Sequence, residues 1–181
     1  MTCVNFSQCI MLKENGPPIR MMNKTHLLQL IVEQLTIDLA VQLNAAITAH
    51  EASRHEENIP DNKYETLALE ASYVAQGQAN RAQEIKRALE TYKQLTLEQF
   101  DDNSTIALTA LVTLAGDDAA TRTVFIGPLE GGMRVADHLA EIVVITPASP
   151  LGRDLIGKRV GDLVRIGVGS GCKEFEIVGV C

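Results

Sequence analysis

The residues able to do chemistry are few, and most of their spacings exclude it. His26, His50, His55 and His138 form no HExxH or similar ligand pair. Cys3, Cys9, Cys172 and Cys181 form no CxxC and have no neighbouring His, which reads as reduced thiols rather than a metal or redox centre. The glycines of "GVGSG" lie between two apolar runs rather than before a helix, so a hairpin turn explains them better than a phosphate cradle. No nucleophile and base can be paired along the chain, which argues against a stand-alone enzyme. One cluster is left. In "HEENIPDNKYETLALEAS" (55–72), Glu56, Glu57 and Asp61 gather at the junction of two long apolar-periodic stretches, with Asn58 and Pro60 among them. Such acids are commonly solvated, or they favour a helix N-terminus through its dipole. Asp61 also suits an N-cap of the second stretch.

The flanking stretches determine what these acids sit on. Thr25 is placed to cap a helix through "HLLQLIVEQLTIDLAVQLNAAITAHEAS", with Leu28, Ile31, Leu35, Leu39, Leu43 and Ala46 as its apolar stripe. A second helix starts near Asp61 or Asn62. Its seam reads Tyr64, Leu67, Ala71, Val74, Gln78, Arg81, Ile85, Ala88, Tyr92 and Leu95, flanked by Ala68, Ala75, Ala82 and Leu89. Each helix of about 30 residues would be about 45 Å long and could not hide its stripe alone. The short link makes an antiparallel pair the simplest solution. Gly77 inside the second helix suggests a close backbone contact, and Gln78 and Arg81 are expected to reach past the seam to solvent.

Near residue 100 the period changes. "TIALTALVTLA", "TRTVFIG", "EIVVIT", "DLVRIGV" and "KEFEIVGV" read as strands separated by "GDDAA", "PLEGG" and "GSG". One short helix interrupts them in "SPLGRDLIGK", with Ser149 as cap, Pro150 at the first position and Gly157 at the exit. The fold class is therefore α+β: residues 22–97 form a helical hairpin and 104–181 an antiparallel sheet with one short helix. Residues 1–21 show no period and read as a loose extension or a mis-assigned start. Of 181 residues, 46% are apolar and 22% charged, the profile of a soluble globular chain, and the net charge of −7 argues against broad adhesion to DNA or anionic lipid. No unbroken apolar run approaches the roughly 20 residues of a membrane span, and no secretory leader is evident.

An antiparallel coiled coil with an acidic tip, followed by a sheet domain carrying Ser149-Pro150-Leu151-Gly152-Arg153, Leu155-Ile156-Gly157-Lys158 and Gly161-Asp162, resembles the GreA/GreB transcript cleavage factors of bacterial RNA polymerase. The resemblance covers about residues 22–181. It implies an FKBP-like C-terminal domain docked at the rim of the polymerase secondary channel through Ser149, Pro150, Leu151, Arg153 and Lys158. It implies a coiled coil that enters the channel, two tip carboxylates that help hold a second Mg²⁺ beside the RNA 3′ end, and hydrolysis carried out by the polymerase. In that reading the chain is a cytoplasmic, monomeric accessory factor with no cofactor of its own and no membrane partner.

The tip departs from the family pattern. The family has Asp and Glu three residues apart, with Asn directly after the Glu. Here Asp61-Asn62 falls on the Glu-Asn pair, a register supported by Ala68 and Glu70 downstream. Asn58 stands where the family has Asp. One ligand is then a neutral amide, and Asp61 is shorter than Glu by one methylene, roughly 1.5 Å. Glu57 is the neighbouring substitute, and Pro60 restricts Ile59 to extended geometry. The expectation is polymerase binding with weak or absent stimulation of cleavage. Two alternatives stand beside it: a non-cleaving regulator that occupies the same channel, and a coiled-coil adaptor that self-associates or binds another protein. Prolyl isomerase activity is discounted, because the C-terminal half offers Phe125 and Phe175 but no Trp or Tyr for an aromatic pocket.

Overall fold

The computed structural model describes residues 23–56, 62–116, 121–137, 140–167 and 172–181. Two long helices come first, α1 (Lys24–Glu56) and α2 (Asn62–Lys93). Strands β1 (Leu111–Gly116), β2 (Thr121–Ile126), β3 (Arg134–Asp137) and β4 (Ala140–Ile145) follow, then the short helix α3 (Pro150–Leu155), β5 (Leu163–Ile166) and β6 (Lys173–Val180). The α+β class is as the sequence predicts, and the sheet is compatible with the FKBP-like expectation. The proposed extension 1–21 lies outside the described residues.

Asn23, not Thr25, opens α1: its Oδ1 accepts the Thr25 amide at 2.9 Å and its carbonyl accepts the Leu27 amide. The helices pair antiparallel, because the start of α1 and the end of α2 share one core. Leu27, Ile31 and Leu35 pack with Ile85, Ala88, Leu89 and Tyr92. At the base the expected seam residues Ile85, Ala88 and Tyr92 are buried, and the flanking residues join them; farther out the expected line is exposed. Ala82 and Leu89 are buried, whereas Val74 and Arg81 are exposed, and Leu43 of α1 is 48% exposed. A strict 3–4 alternation admits either of two adjacent lines on a helix. At the base, packing against the sheet buries both lines, Ala88 together with Ala82 and Leu89. Gly77 is not a close contact: a Cβ built there meets nothing within 4 Å.

That same core continues into the sheet. Leu111, Phe125, Val135, Ile142 and Val144 face the hairpin base. Residues alternating with them, including Val112, Val124, Ile126 and Ile145, face the other way and pack with Ile106, Leu155, Val164, Phe175 and Ile177. Both faces of the sheet are covered. This is why Val124–Ile126 of β2 and Ile142–Ile145 of β4 read as unbroken apolar runs rather than alternating ones. By composition alone Lys24–Glu51 is apolar enough to cross a membrane, with a mean hydropathy of 1.4, so the expectation based on unbroken runs needs that correction. Leu27, Ile31 and Leu35 of that segment are spent in the core with the sheet.

The strand order is β3-β4-β2-β1-β6-β5. The sheet is mixed, and this corrects the antiparallel expectation: β2 and β4 run parallel, in register from Thr123–Ile142 to Ile126–Ile145. The cause is β3, a four-residue strand the sequence reading missed. The "PLEGG" loop carries the chain past the place β4 will occupy. β3 then forms the edge, and the antiparallel return inserts β4 between β3 and β2. The "TIALTALVTLA" run is also shorter as a strand than expected, since β1 starts only at Leu111, after turns around Thr109.

Candidate functional site

Three regions bear on function: the hairpin end, the α3 motif and the joint between hairpin and sheet. At the end, α1 stops at Glu56 and α2 starts at Asn62. The predicted tip residues Glu57, Asn58 and Asp61 lie outside the described residues. What the fold does settle is their carrier. Burial of the hairpin is concentrated at its base. Farther out, Ile47 is 57% exposed and Tyr73 70%. At about 1.5 Å per residue, α1 is about 50 Å long, and roughly 25 Å of it lies beyond the base packing.

The α3 motif is largely explained by local structure. Ser149 Oγ accepts the Gly152 amide at 3.0 Å and reaches the Thr146 carbonyl at 2.7 Å, so it caps the helix and closes the preceding turn. Gly152 is required by space: an added Cβ would lie 2.0 Å from the Thr146 carbonyl oxygen. Gly157 and Gly161 hold φ of +85° and +92°, which a side chain resists. Leu151 packs beneath on the second core. Lys158 Nζ donates to Asp154 at 3.0 Å and to the Leu163 carbonyl at 2.7 Å. Asp154 also accepts the Arg165 amide at 3.1 Å, a bond that, with Lys158, holds its carboxyl below the ordinary range against partial burial. So of the five residues assigned to docking, Ser149, Leu151 and Lys158 have structural work, and Pro150 and Arg153 are on the surface. Ile156 and Leu163 add exposed apolar area from the same segment.

At the joint, Lys24 is buried. Its Nζ donates to the Glu98 carbonyl and to the Thr109 carbonyl at 3.3 Å, and it lies 4.7 Å from the Phe100 ring centroid. Burial lowers its pKa, opposed by Cys181 and Glu98. Thr109 adopts φ +69° and its hydroxyl accepts the Glu98 amide. Tyr92 is fully buried and donates to the Leu129 carbonyl at 2.8 Å, and burial raises its pKa far above the usual phenol value. Arg81 is exposed, as expected, and it also pairs with Glu130 of the β2–β3 loop. Nothing in the residue spacing marks this partner, which is 49 positions away. Phe125 and Phe175 are both buried, on opposite sheet faces, and Arg122 stacks on Phe175 at 5.0 Å.

Residues 101–181 match the family described as transcription elongation factor GreA/GreB, C-terminal. The transcription elongation factor GreA of Beijerinckia indica is 30% identical over 136 residues, covering 74% of this chain and 80% of that protein. The chain belongs to the GreA/GreB family. GreA of Xanthomonas campestris is 29% identical over 154 residues, or 84% of this chain and 91% of the relative. Among solved structures, the GreA factor homolog 1 protein of Thermus thermophilus is 22% identical with a TM-score of 0.36, and covers 83% of this chain and 94% of that one. As a GreA/GreB member, the chain carries the "SPLGRDLIGKRVGD" signature as a capped turn whose glycines are sterically required.

Proposed function

We propose that this chain is a cytoplasmic transcription elongation regulator that binds bacterial RNA polymerase. The sheet domain grips the rim of the secondary channel and the hairpin enters it. Family membership and one structural observation support this: among the described residues, the hairpin's buried apolar packing on the sheet is at its base, and Ile47 and Tyr73 farther out are exposed. A rod of about 50 Å can carry ligands into a pore without unfolding anything. Pro150 and Arg153, exposed on α3, are the docking contacts this reading assigns.

The chain has no catalytic machinery of its own in this reading; hydrolysis of RNA is the polymerase's work. Glu57, Asn58 and Asp61 offer hard oxygen donors of the kind Mg²⁺ takes, so the donor set fits an ion held in the polymerase centre. Bound there, the ion supplies charge stabilisation to phosphoryl transfer. The chain's share is to bring Asp61, with Glu57 or Asn58, to that ion. Because Asn58 brings no charge where the family has Asp, cleavage stimulation is weak, and occupation of the channel itself is the main regulatory effect. The test is RNA cleavage in a stalled, backtracked complex. The expected result is saturable, monomeric binding with cleavage well below that of a standard Gre factor, and restored cleavage in Asn58→Asp. Cleavage at the standard rate without that change would refute weak stimulation. A stable dimer that ignores polymerase would favour the adaptor.

A further inference from the structure

Arg81 does not belong to the hairpin seam, yet it is held. Its guanidinium forms a two-toothed pair with Glu130, Nη2 to Oε2 at 2.6 Å and Nη1 to Oε1 at 3.2 Å, and Glu84 supports it from the same helix at 3.2 Å. The Glu130 side chain is only 14% exposed, and its backbone adopts φ +56°, in the left-handed region that non-glycine residues resist. The loop accepts that conformation while its neighbours are fixed. Leu129 receives Tyr92, Gly132 donates to the Val144 carbonyl, and a Cβ at Gly127 would strike the Tyr92 hydroxyl at 2.2 Å. The β2–β3 loop is thus gripped by α2 at two places eleven residues apart in sequence, about 16 Å along the helix axis.

The shared core holds the base of α2 from Ile85 to Tyr92, and Arg81–Glu130 adds a polar attachment one turn farther out along the rod. Tyr92, with Lys24 in its carbonyl cage, anchors the base. Arg81–Glu130 lies outward of it. The hairpin continues about 28 Å beyond Arg81 to the start of α2, so 1 Å of slack at Arg81 becomes about 3 Å at the far end. We propose that Arg81 and Glu130 are a positioning pair: a strut that sets the angle at which the hairpin leaves the sheet domain, and hence where its end arrives. The functional part of this rests on the reading of a hairpin delivered into polymerase. The geometric part does not.

The strut is tested on the full chain, with its cysteines replaced by Ser, spin-labelled at Glu70→Cys on the hairpin and Glu176→Cys on the sheet. Arg81→Ala and Glu130→Ala are expected to broaden or shift the interspin distance by 3 Å or more while the Tm moves by only a few degrees. The charge swap R81E with E130R restores the narrow distribution. Glu130→Gly provides a second variant, which relieves the left-handed backbone while deleting the carboxylate. On polymerase, Arg81→Ala lowers the maximal effect at saturation at least threefold and leaves the half-saturating concentration within twofold. An unchanged distance in Arg81→Ala and Glu130→Gly overturns the strut. A changed distance in a protein whose wild type has no effect on polymerase overturns the delivery role and the functional reading, and leaves the strut standing. A rise in half-saturating concentration with an unaltered maximum overturns the positioning role in favour of a direct polymerase contact.

Discussion

Individual side chains in this protein are most informative where the family signature is dense. Asp154 is an instance. It joins α3 to β5 by accepting the Arg165 amide and the Lys158 ammonium, and these bonds depress its pKa below the ordinary 3.8. A carboxyl depressed in the folded state binds fewer protons there than when unfolded. Its contribution is therefore complete above about pH 4 and is lost as pH falls through the lower folded value. Asp154→Asn should lower stability at pH 7 by under ~1 kcal/mol, since the group is partly exposed. The decline of stability as pH falls below about 4 should also become shallower. Urea midpoints across that range measure both. In contrast, no residue-level signal in the sequence marks Glu130. Its importance comes from a left-handed backbone and a partner on another element, neither of which spacing encodes.

At the scale of elements, α3 shows two effects opposing each other. Gly152 lies in a helix, where Ala is ordinarily better by about 1 kcal/mol. Here an added methyl meets the Thr146 carbonyl oxygen at 2.0 Å and Ser149 Oγ at 2.9 Å, and the first of these is backbone that the cap holds in place. The clash wins. Gly152→Ala should destabilise by about 1–3 kcal/mol, read as a lower denaturation midpoint. The element the sequence reading missed, β3, is a four-residue edge strand that lies directly after a turn and has little apolar content of its own. Short edge strands give weak periodic signals, and their existence depends on the strand they pair with. Here that is β4. Strong elements were legible for the opposite reason: α1 and α2 each repeat their pattern over about 30 residues, and the α3 cap, proline and exit glycine sit where local chemistry requires them.

For the whole molecule, the decisive fact is a shared core. Leu35 of α1, Tyr92 of α2 and Phe125 of β2 belong to one cluster, and each is fully buried. The hairpin base and the sheet should therefore unfold together, while the outward part of the hairpin opens at lower cost. Leu35→Ala should cost about 2–5 kcal/mol and raise amide exchange in α1 and in β4 in parallel. Hydrogen exchange resolved by segment checks this. Acceleration confined to α1 would show that the hairpin and the sheet are independent units. The coupling also serves the proposed function, because a rod can deliver its end accurately only if its base is rigid with the part that docks.

The sequence by itself determined the two long helices, their antiparallel pairing, the change to strands near residue 100, the capped turn of α3 and the family. All of these follow from contacts between residues near in sequence, or from patterns repeated often enough to admit one arrangement. Only the tertiary structure decided how far along the hairpin the seam is buried, that β2 and β4 run parallel, and that Arg81 meets Glu130. Those outcomes depend on surfaces brought together from distant parts of the chain. A helix stripe is buried only where the sheet or the partner helix packs against it, as at Ile85, Ala88 and Tyr92.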